Sequence, residues 1–249
     1  MQALKDKTLL VIGGSSGIGL RVAHQAAAEG AQLILAGRRP DALAAAQAEL
    51  LLAARDRGHA NPVRLVAQVD AHDHVGLQAM FDGLPPLDHV VSMVGDVMGG
   101  GFLKADMAVI RHVIESKFFT NVRIGQLAAG KLRDGGSLVF TAGTGGRAQD
   151  ACASYVGNLG VNALVEGLAA ELAPRVRVNS VCPTWTLTPF WRDVPPEQVQ
   201  AIRARFETSI PLKRLATMDE LASAYVFLMK NGFVTGQHLA VDGGIMLGA

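Results

Sequence analysis

With 249 residues, 49% of them hydrophobic, and a formal net charge of +1, the chain can bury a large core and has no surplus charge for a polyanionic partner. No long basic or acidic block occurs, which excludes nucleic acid and a membrane surface as expected partners and leaves a small molecule. Cys152 and Cys182 are too few for a disulfide framework in a chain this long, and they suit a reducing cytoplasm.

Lys5, Asp6 and Lys7 precede a short apolar run with no small-residue cleavage site, a poor signal peptide. No apolar stretch approaches the roughly 18 to 20 residues that span a bilayer, so a soluble cytoplasmic protein is expected. Residues 8–12 read as the first strand and 20–29 as the first helix, joined by the glycine cluster Gly13-Gly14-Ser15-Ser16-Gly17-Ile18-Gly19. Gly30 suits a left-handed helix end. Strand 32–36 follows, then helix 41–57 with Asp41 as its expected cap, strand 63–69 and helix 75–81. Strand 88–94, helix 107–132, strand 137–141, helix 153–173 and strand 176–181 continue the alternation. Residues 183–211, with five prolines and Trp185, Phe190 and Trp191, break the rhythm before helix 218–229 and strand 238–241.

Near-continuous apolar strands separated by helices predict a parallel sheet covered on both faces. The expected fold is α/β, a doubly wound (Rossmann) seven-stranded sheet. Residues 1–249 are expected to form one dinucleotide-binding domain with a substrate-loop insertion near 184–211, at a strand's carboxyl end, where such folds bind ligands.

Glycines at 13, 17 and 19 let the main chain turn sharply, while helix N-terminal N–H groups and the dipole favour a pyrophosphate. A tight turn without function is the alternative reading of the same residues. Strand two ends Ala36-Gly37-Arg38-Arg39 without an acid to hold a ribose 2′-OH, and the planar fork of Arg38 suits a 2′-phosphate. These residues predict NADP(H), the alternative being a solvated arginine pair. Asp70-x-His72-Asp73-His74 completes no metal-ligand spacing, so no metal is expected.

The spacing Gly13-x-x-x-Gly17-x-Gly19, with Arg177-Val178-Asn179-Ser180-Val181-Cys182-Pro183, Ile210-Pro211-Leu212-Lys213-Arg214 and Val241-Asp242-Gly243-Gly244, resembles the short-chain dehydrogenase/reductase family over nearly the whole chain. The resemblance implies carbonyl or alcohol hydride transfer and a homodimer or homotetramer, while the apolar, aromatic loop from Trp185 to Phe206 suits a small hydrophobic substrate. The resemblance also implies cofactor contacts at Gly13, Ser15, Ser16, Gly17, Ile18, Gly19, Arg38 and Gly95, and at Pro183, Thr184, Thr186 and Thr188 after the sixth strand. Asp70 falls where the family holds the adenine, with a turn cap as its alternative.

Family members carry a Tyr-x-x-x-Lys pair on the fifth helix, a serine after strand five and an asparagine on the fourth helix. The alignment instead places Ser154 and Asn158 at the tyrosine and lysine positions, Thr141 at the serine and Lys117 at the asparagine. Tyr155 stands one residue past the tyrosine position, a rotation of about 100° on a helix. Lys117 is a candidate cation for the site or a lysine reaching solvent. Thr141 is a candidate hydrogen bond to the substrate oxygen, and Ser154 a substrate contact or a cap. Loss of the tyrosine and lysine together leaves two functions open: an NADP(H)-dependent oxidoreductase with a non-standard catalytic set, or an NADP(H)-binding protein without redox activity.

Overall fold

The computed structural model describes residues 2–248. Among them one parallel sheet contains β1 (Thr8–Ile12), β2 (Gln32–Gly37), β3 (Val63–Gln68), β4 (Leu87–Ser92), β5 (Leu132–Thr141), β6 (Val176–Pro183) and β7 (His238–Val241), in the order β3-β2-β1-β4-β5-β6-β7. This is the doubly wound sheet expected from the alternating elements. The chain winds outward in one direction through β3, then returns beside β1 and winds the other way. The carboxyl ends of β1 and β4 therefore flank the crevice where the winding reverses.

The strands at the centre of the sheet are mostly apolar because both faces are covered; β1 is buried throughout, while edge strand β3 is partly exposed. On β1, Leu10 and Ile12 face one core with Phe81, Ile124, Phe140 and Val161, while Leu9 and Val11 face the other with Val22, Leu43 and Tyr225. The helices that close these cores are α1 (Gly17–Ala28), α2 (Pro40–Arg55), α3 (His74–Gly83), α4 (Met107–Ile114), α5 (Thr120–Ala129), α6 (Ala148–Leu172), α7 (Pro196–Ser209) and α8 (Met218–Lys230). Gly30 has φ +89° just beyond α1, as a left-handed helix end requires. At α8, Thr217 and Glu220 form a reciprocal capping box, and Arg214 grips the same glutamate.

Four local expectations change. The predicted helix 107–132 is α4, a π-helical turn at Glu115–Phe119, and α5. Helix 153–173 starts earlier, at Ala148, and bends at Cys152, whose φ of 31° and ψ of −112° are non-helical. Residues 183–211 are not all loop: a 3-10 turn at Pro189–Trp191 leads to α7, whose first turn uses Pro196, a residue that breaks helices inside but suits their start. Asp41 does not cap α2, because Pro40 already occupies its first turn and Arg39 takes the cap position; the Asp41 charge instead faces the positive end of the helix dipole. No helix among the described residues is long and apolar enough to cross a membrane.

Candidate active site

The glycine turn lies at the reversal of the sheet. Gly13 has φ +84°, and a Cβ there would stand 2.9 Å from that of Met93 after β4; a Cβ on Gly19 would run into the Gly13 carbonyl oxygen. Only glycine lets α1 start this close to the strand. Ser16 takes the cap position in extended conformation without a side-chain cap bond, and the N–H of Leu20 is bonded to the Ser16 carbonyl. The N–H groups of Gly17, Ile18 and Gly19 therefore have no partner within the helix.

At the end of β2, a Cβ on Gly37 would lie 3.3 Å from Ser15 Oγ, so that hydroxyl borders the position from which exposed Arg38 emerges. β3 ends at Gln68, one residue short of the expected strand, and Asp70 lies two residues past it; its carboxylate accepts the His72 N–H at 3.0 Å, forming a turn. The His72 ring turns to Thr120 Oγ1 at 3.2 Å and lies 4.0 Å from the Asp96 carboxylate, which accepts His112 Nε2 at 2.8 Å. Among the described residues no group of histidine, cysteine and carboxylate side chains is arranged to hold a metal ion.

Lys117 lies on the π-helical turn, and the wider turn is held by side chains that take its carbonyls. Thr120 Oγ1 donates to the Glu115 carbonyl and Asn121 Nδ2 to that of Lys117, at 3.0 and 2.7 Å. Asn121 also donates to the Val94 carbonyl and accepts from Ser92 Oγ at 2.7 Å, tying the turn to the end of β4. The Lys117 side chain, only 5% exposed, runs inward between Gly95 and Gly157 and donates from Nζ to Asn158 Oδ1 at 2.9 Å. Burial lowers its pKa from 10.5 to about 8, against the opposing charge of Asp96.

Of the remaining candidates, Ser154 is closed on the chain itself: its Oγ accepts the Met98 N–H at 2.6 Å and donates to the Met98 carbonyl at 3.1 Å. The Thr141 hydroxyl faces away, bonded to Tyr225 at 2.7 Å and to the Ser92 carbonyl at 2.8 Å. Tyr155 is half-buried, one helical step from Ser154. The residue after β5 that borders the Lys117–Asn158 pair is Gly143, where a Cβ would stand 2.9 Å from Asn158 Nδ2. Sequence reasoning missed both Gly143 and the buried Asn121, whose one signal was its place four residues after Lys117 on the same helical face.

Residues 184–206 lie beside the turn as an aromatic layer. Trp185 stacks on Phe206 at 5.8 Å between ring centroids and lies 5.6 Å from Trp191, which meets Phe190 edge-on. Trp191 Nε1 donates to the Thr186 carbonyl, Thr186 Oγ1 to the Thr184 carbonyl, and Thr188 Oγ1 accepts the Phe190 N–H. A Cβ on Gly17 would lie 3.6 Å from Thr188 and Pro189, which sets this segment against the glycine turn. Thr184 Oγ1, which a Cβ on Gly145 would meet, and Trp185 Nε1 are buried without hydrogen-bond partners. A buried hydroxyl and a buried indole N–H left unpaired after β6 fit a polar ligand on this side of the sheet.

The model of the enoyl-(acyl carrier protein) reductase family matches residues 13–246. The chain belongs to the short-chain dehydrogenase/reductase family. This dehydrogenase/reductase is 33% identical to galactitol 2-dehydrogenase (L-tagatose-forming) of Cereibacter sphaeroides over 253 residues, 94% of this chain and 92% of that protein. It is 29% identical over 258 residues to short-chain dehydrogenase/reductase malC of Malbranchea aurantiaca, covering 98% and 96% of the two chains. A short-chain type dehydrogenase/reductase from Mycobacterium ulcerans superposes with a TM-score of 0.85 at 29% identity, over 98% of this chain and 91% of the other. As a short-chain dehydrogenase/reductase, the protein is an oxidoreductase that uses a nicotinamide dinucleotide.

Proposed function

We propose that this dehydrogenase/reductase prefers NADP(H) and interconverts a carbonyl and an alcohol on a hydrophobic small molecule in the cytoplasm, with a non-standard catalytic set. The observation that carries the cofactor preference is the end of β2, where exposed Arg38 follows side-chain-free Gly37 beside the Ser15 hydroxyl and no acid is present. Arg38 would take the 2′-phosphate in a bidentate grip, and the N–H groups of Gly17, Ile18 and Gly19 would hold the pyrophosphate. Asp70 and Gly95 would border the adenosine and nicotinamide halves, with Pro183, Thr184, Thr186 and Thr188 closing over the far side. When bound, the cofactor supplies or accepts the hydride. Residues 184–211, rich in Trp185, Phe190, Trp191 and Phe206, would exclude water and receive an apolar substrate.

The names of the relatives support an alcohol or ketone substrate, galactitol 2-dehydrogenase among them. Exposed Phe119, Val156 and Leu159 leave an apolar face on the π-helical turn and α6 that suits a homodimer or homotetramer of this single cofactor-binding domain. The test is turnover of a ketone and alcohol panel with NADP(H) and, separately, NAD(H). Oxidation or reduction at least tenfold more efficient with NADP(H) is expected. Equal efficiency with the two cofactors would contradict the assignment.

A second reading, a dinucleotide-binding protein without redox activity, draws on the commitment of Ser154 to the Met98 backbone, which leaves no acid where the family carries its tyrosine. Activity that appears only in a Ser154→Tyr/Asn158→Lys double variant would favour it.

A further inference from the structure

A buried ammonium without a carboxylate partner costs folding free energy, and Lys117 carries one. Among the described residues no carboxylate lies within 4.0 Å of its Nζ, and Asn158 Oδ1 takes one of its three N–H donors. A Cβ on Gly95 would stand 3.5 Å from Nζ, and one on Gly143 would meet Asn158 Nδ2. Gly95 and Gly143, which border the pair with bare backbone, are themselves only half-buried. They follow β4 and β5, two of the strands whose carboxyl ends face the cofactor side of the sheet.

The charged and titratable groups that face the ammonium come from four elements. Asp96, from the loop after β4, is bonded to His112 of α4 and faced by His72. Glu115, on the same π-helical turn, faces His74 at 3.7 Å. From β6 comes Cys182, whose buried thiol has its pKa raised and stays neutral. From α6 come Gly157 and Asn158, both uncharged.

We infer that Lys117 is the proton donor and acceptor of this site, giving a proton from Nζ to the substrate oxygen in reduction and taking it back in oxidation. Asn158 is its positioning residue. This rests on the oxidoreductase reading above. In reduction, hydride from a reduced nicotinamide dinucleotide forms the new C–H bond at the carbonyl carbon. The C=O π pair moves to oxygen, the oxygen takes a proton from the ammonium, and water reprotonates the amine. A pKa near 8 suits both directions close to neutrality, because each form of the lysine is then populated.

The experiment pairs kinetics with a titration of the cofactor-free protein. Wild type is assayed with NADPH and a ketone panel that includes 2,3-butanedione and acetophenone, and lysine labelled with ¹³C at Cε is followed by NMR against pH. Lys117→Met identifies its resonance, whose midpoint is expected near 8. Lys117→Met should lower kcat about 10²- to 10⁴-fold with NADPH still bound, and Lys117→Arg, charged at every working pH, should fail to restore it. Asn158→Ala should move the basic limb of kcat to lower pH, because the ammonium loses an acceptor that favours its charged form. A Lys117→Arg variant within threefold of wild type would reduce the residue to a fixed charge and overturn the inference while leaving the oxidoreductase reading intact. So would a midpoint above about 10, or a loss in Tyr155→Phe equal to that in Lys117→Met. If the wild-type protein binds NADPH but turns over no ketone, both readings fall.

Discussion

Lys117 Nζ donates to Asn158 Oδ1 across 2.9 Å, joining the π-helical turn after α4 to α6 at the carboxyl edge of the sheet. Gly157 makes the approach possible, since a Cβ there would stand 2.9 Å from the lysine Cβ and Cδ. The bond fixes the lysine head while burial disfavours its charge.

That burial has a stability consequence with a definite sign. Lys117 has a pKa of about 8 when folded against 10.5 as its ordinary value, so between these values the unfolded chain holds a proton that the folded one has released. Its contribution to the free energy of unfolding therefore rises with pH from about 8 to about 10.5, and below 8 it costs the full amount, about 3 kcal/mol. Lys117→Met should be more stable at pH 7 by about 1–3 kcal/mol, after allowance for the unpaired Asn158 oxygen, and should lose this pH slope. Urea denaturation at pH 7 and pH 9.5 measures both. An unchanged slope would contradict the assignment.

Ser154→Ala removes both bonds to Met98 and should cost about 1–2 kcal/mol of stability, read as a lower urea midpoint. If Ser154 instead contacts the substrate oxygen, kcat will fall far more than stability does. Comparing the two in one variant separates a clasp from a catalytic contact.

Arg38→Ala should raise the Kd for NADPH about 10- to 100-fold, the worth of a charge-assisted phosphate contact, and change that for NADH by less than about threefold. Fluorescence titration with both cofactors measures the difference. Parallel losses would show that the arginine acts on the fold rather than on the 2′-phosphate.

Thr141→Val leaves the fully buried Tyr225 hydroxyl without its partner, and should cost about 1–3 kcal/mol. Burial already pushes the pKa of Tyr225 up, so ionisation offers no relief near neutrality. Tyr225→Phe should recover part of the loss when added to Thr141→Val, because the orphaned group is then gone. Thermal unfolding of the two single variants and the double variant tests this.

The strand, glycine turn and first helix were legible because their determinants are local. The run from Leu9 to Gly19 holds a strand, a turn and a helix start in consecutive residues, and Arg38 follows β2 directly. The catalytic half was less so. A continuous apolar period through residues 107–132 gave no sign of the π-helical turn, which side-chain bonds from Thr120 and Asn121 sustain. The prolines of 183–211 read as breakers, while Pro196 opens a helix.

Hydrophobic periodicity and glycine placement by themselves determined the parallel sheet, its doubly wound class and the tight turn from β1 into α1, since periodicity and backbone sterics act over a few neighbouring residues. Which polar side chains meet was decided only by the tertiary structure. Ser154 lies 56 positions from Met98, Thr141 84 from Tyr225 and Lys117 41 from Asn158. Such contacts depend on how helices seat against the sheet, and a shift of one residue along α6 would turn each of its side chains by about 100°.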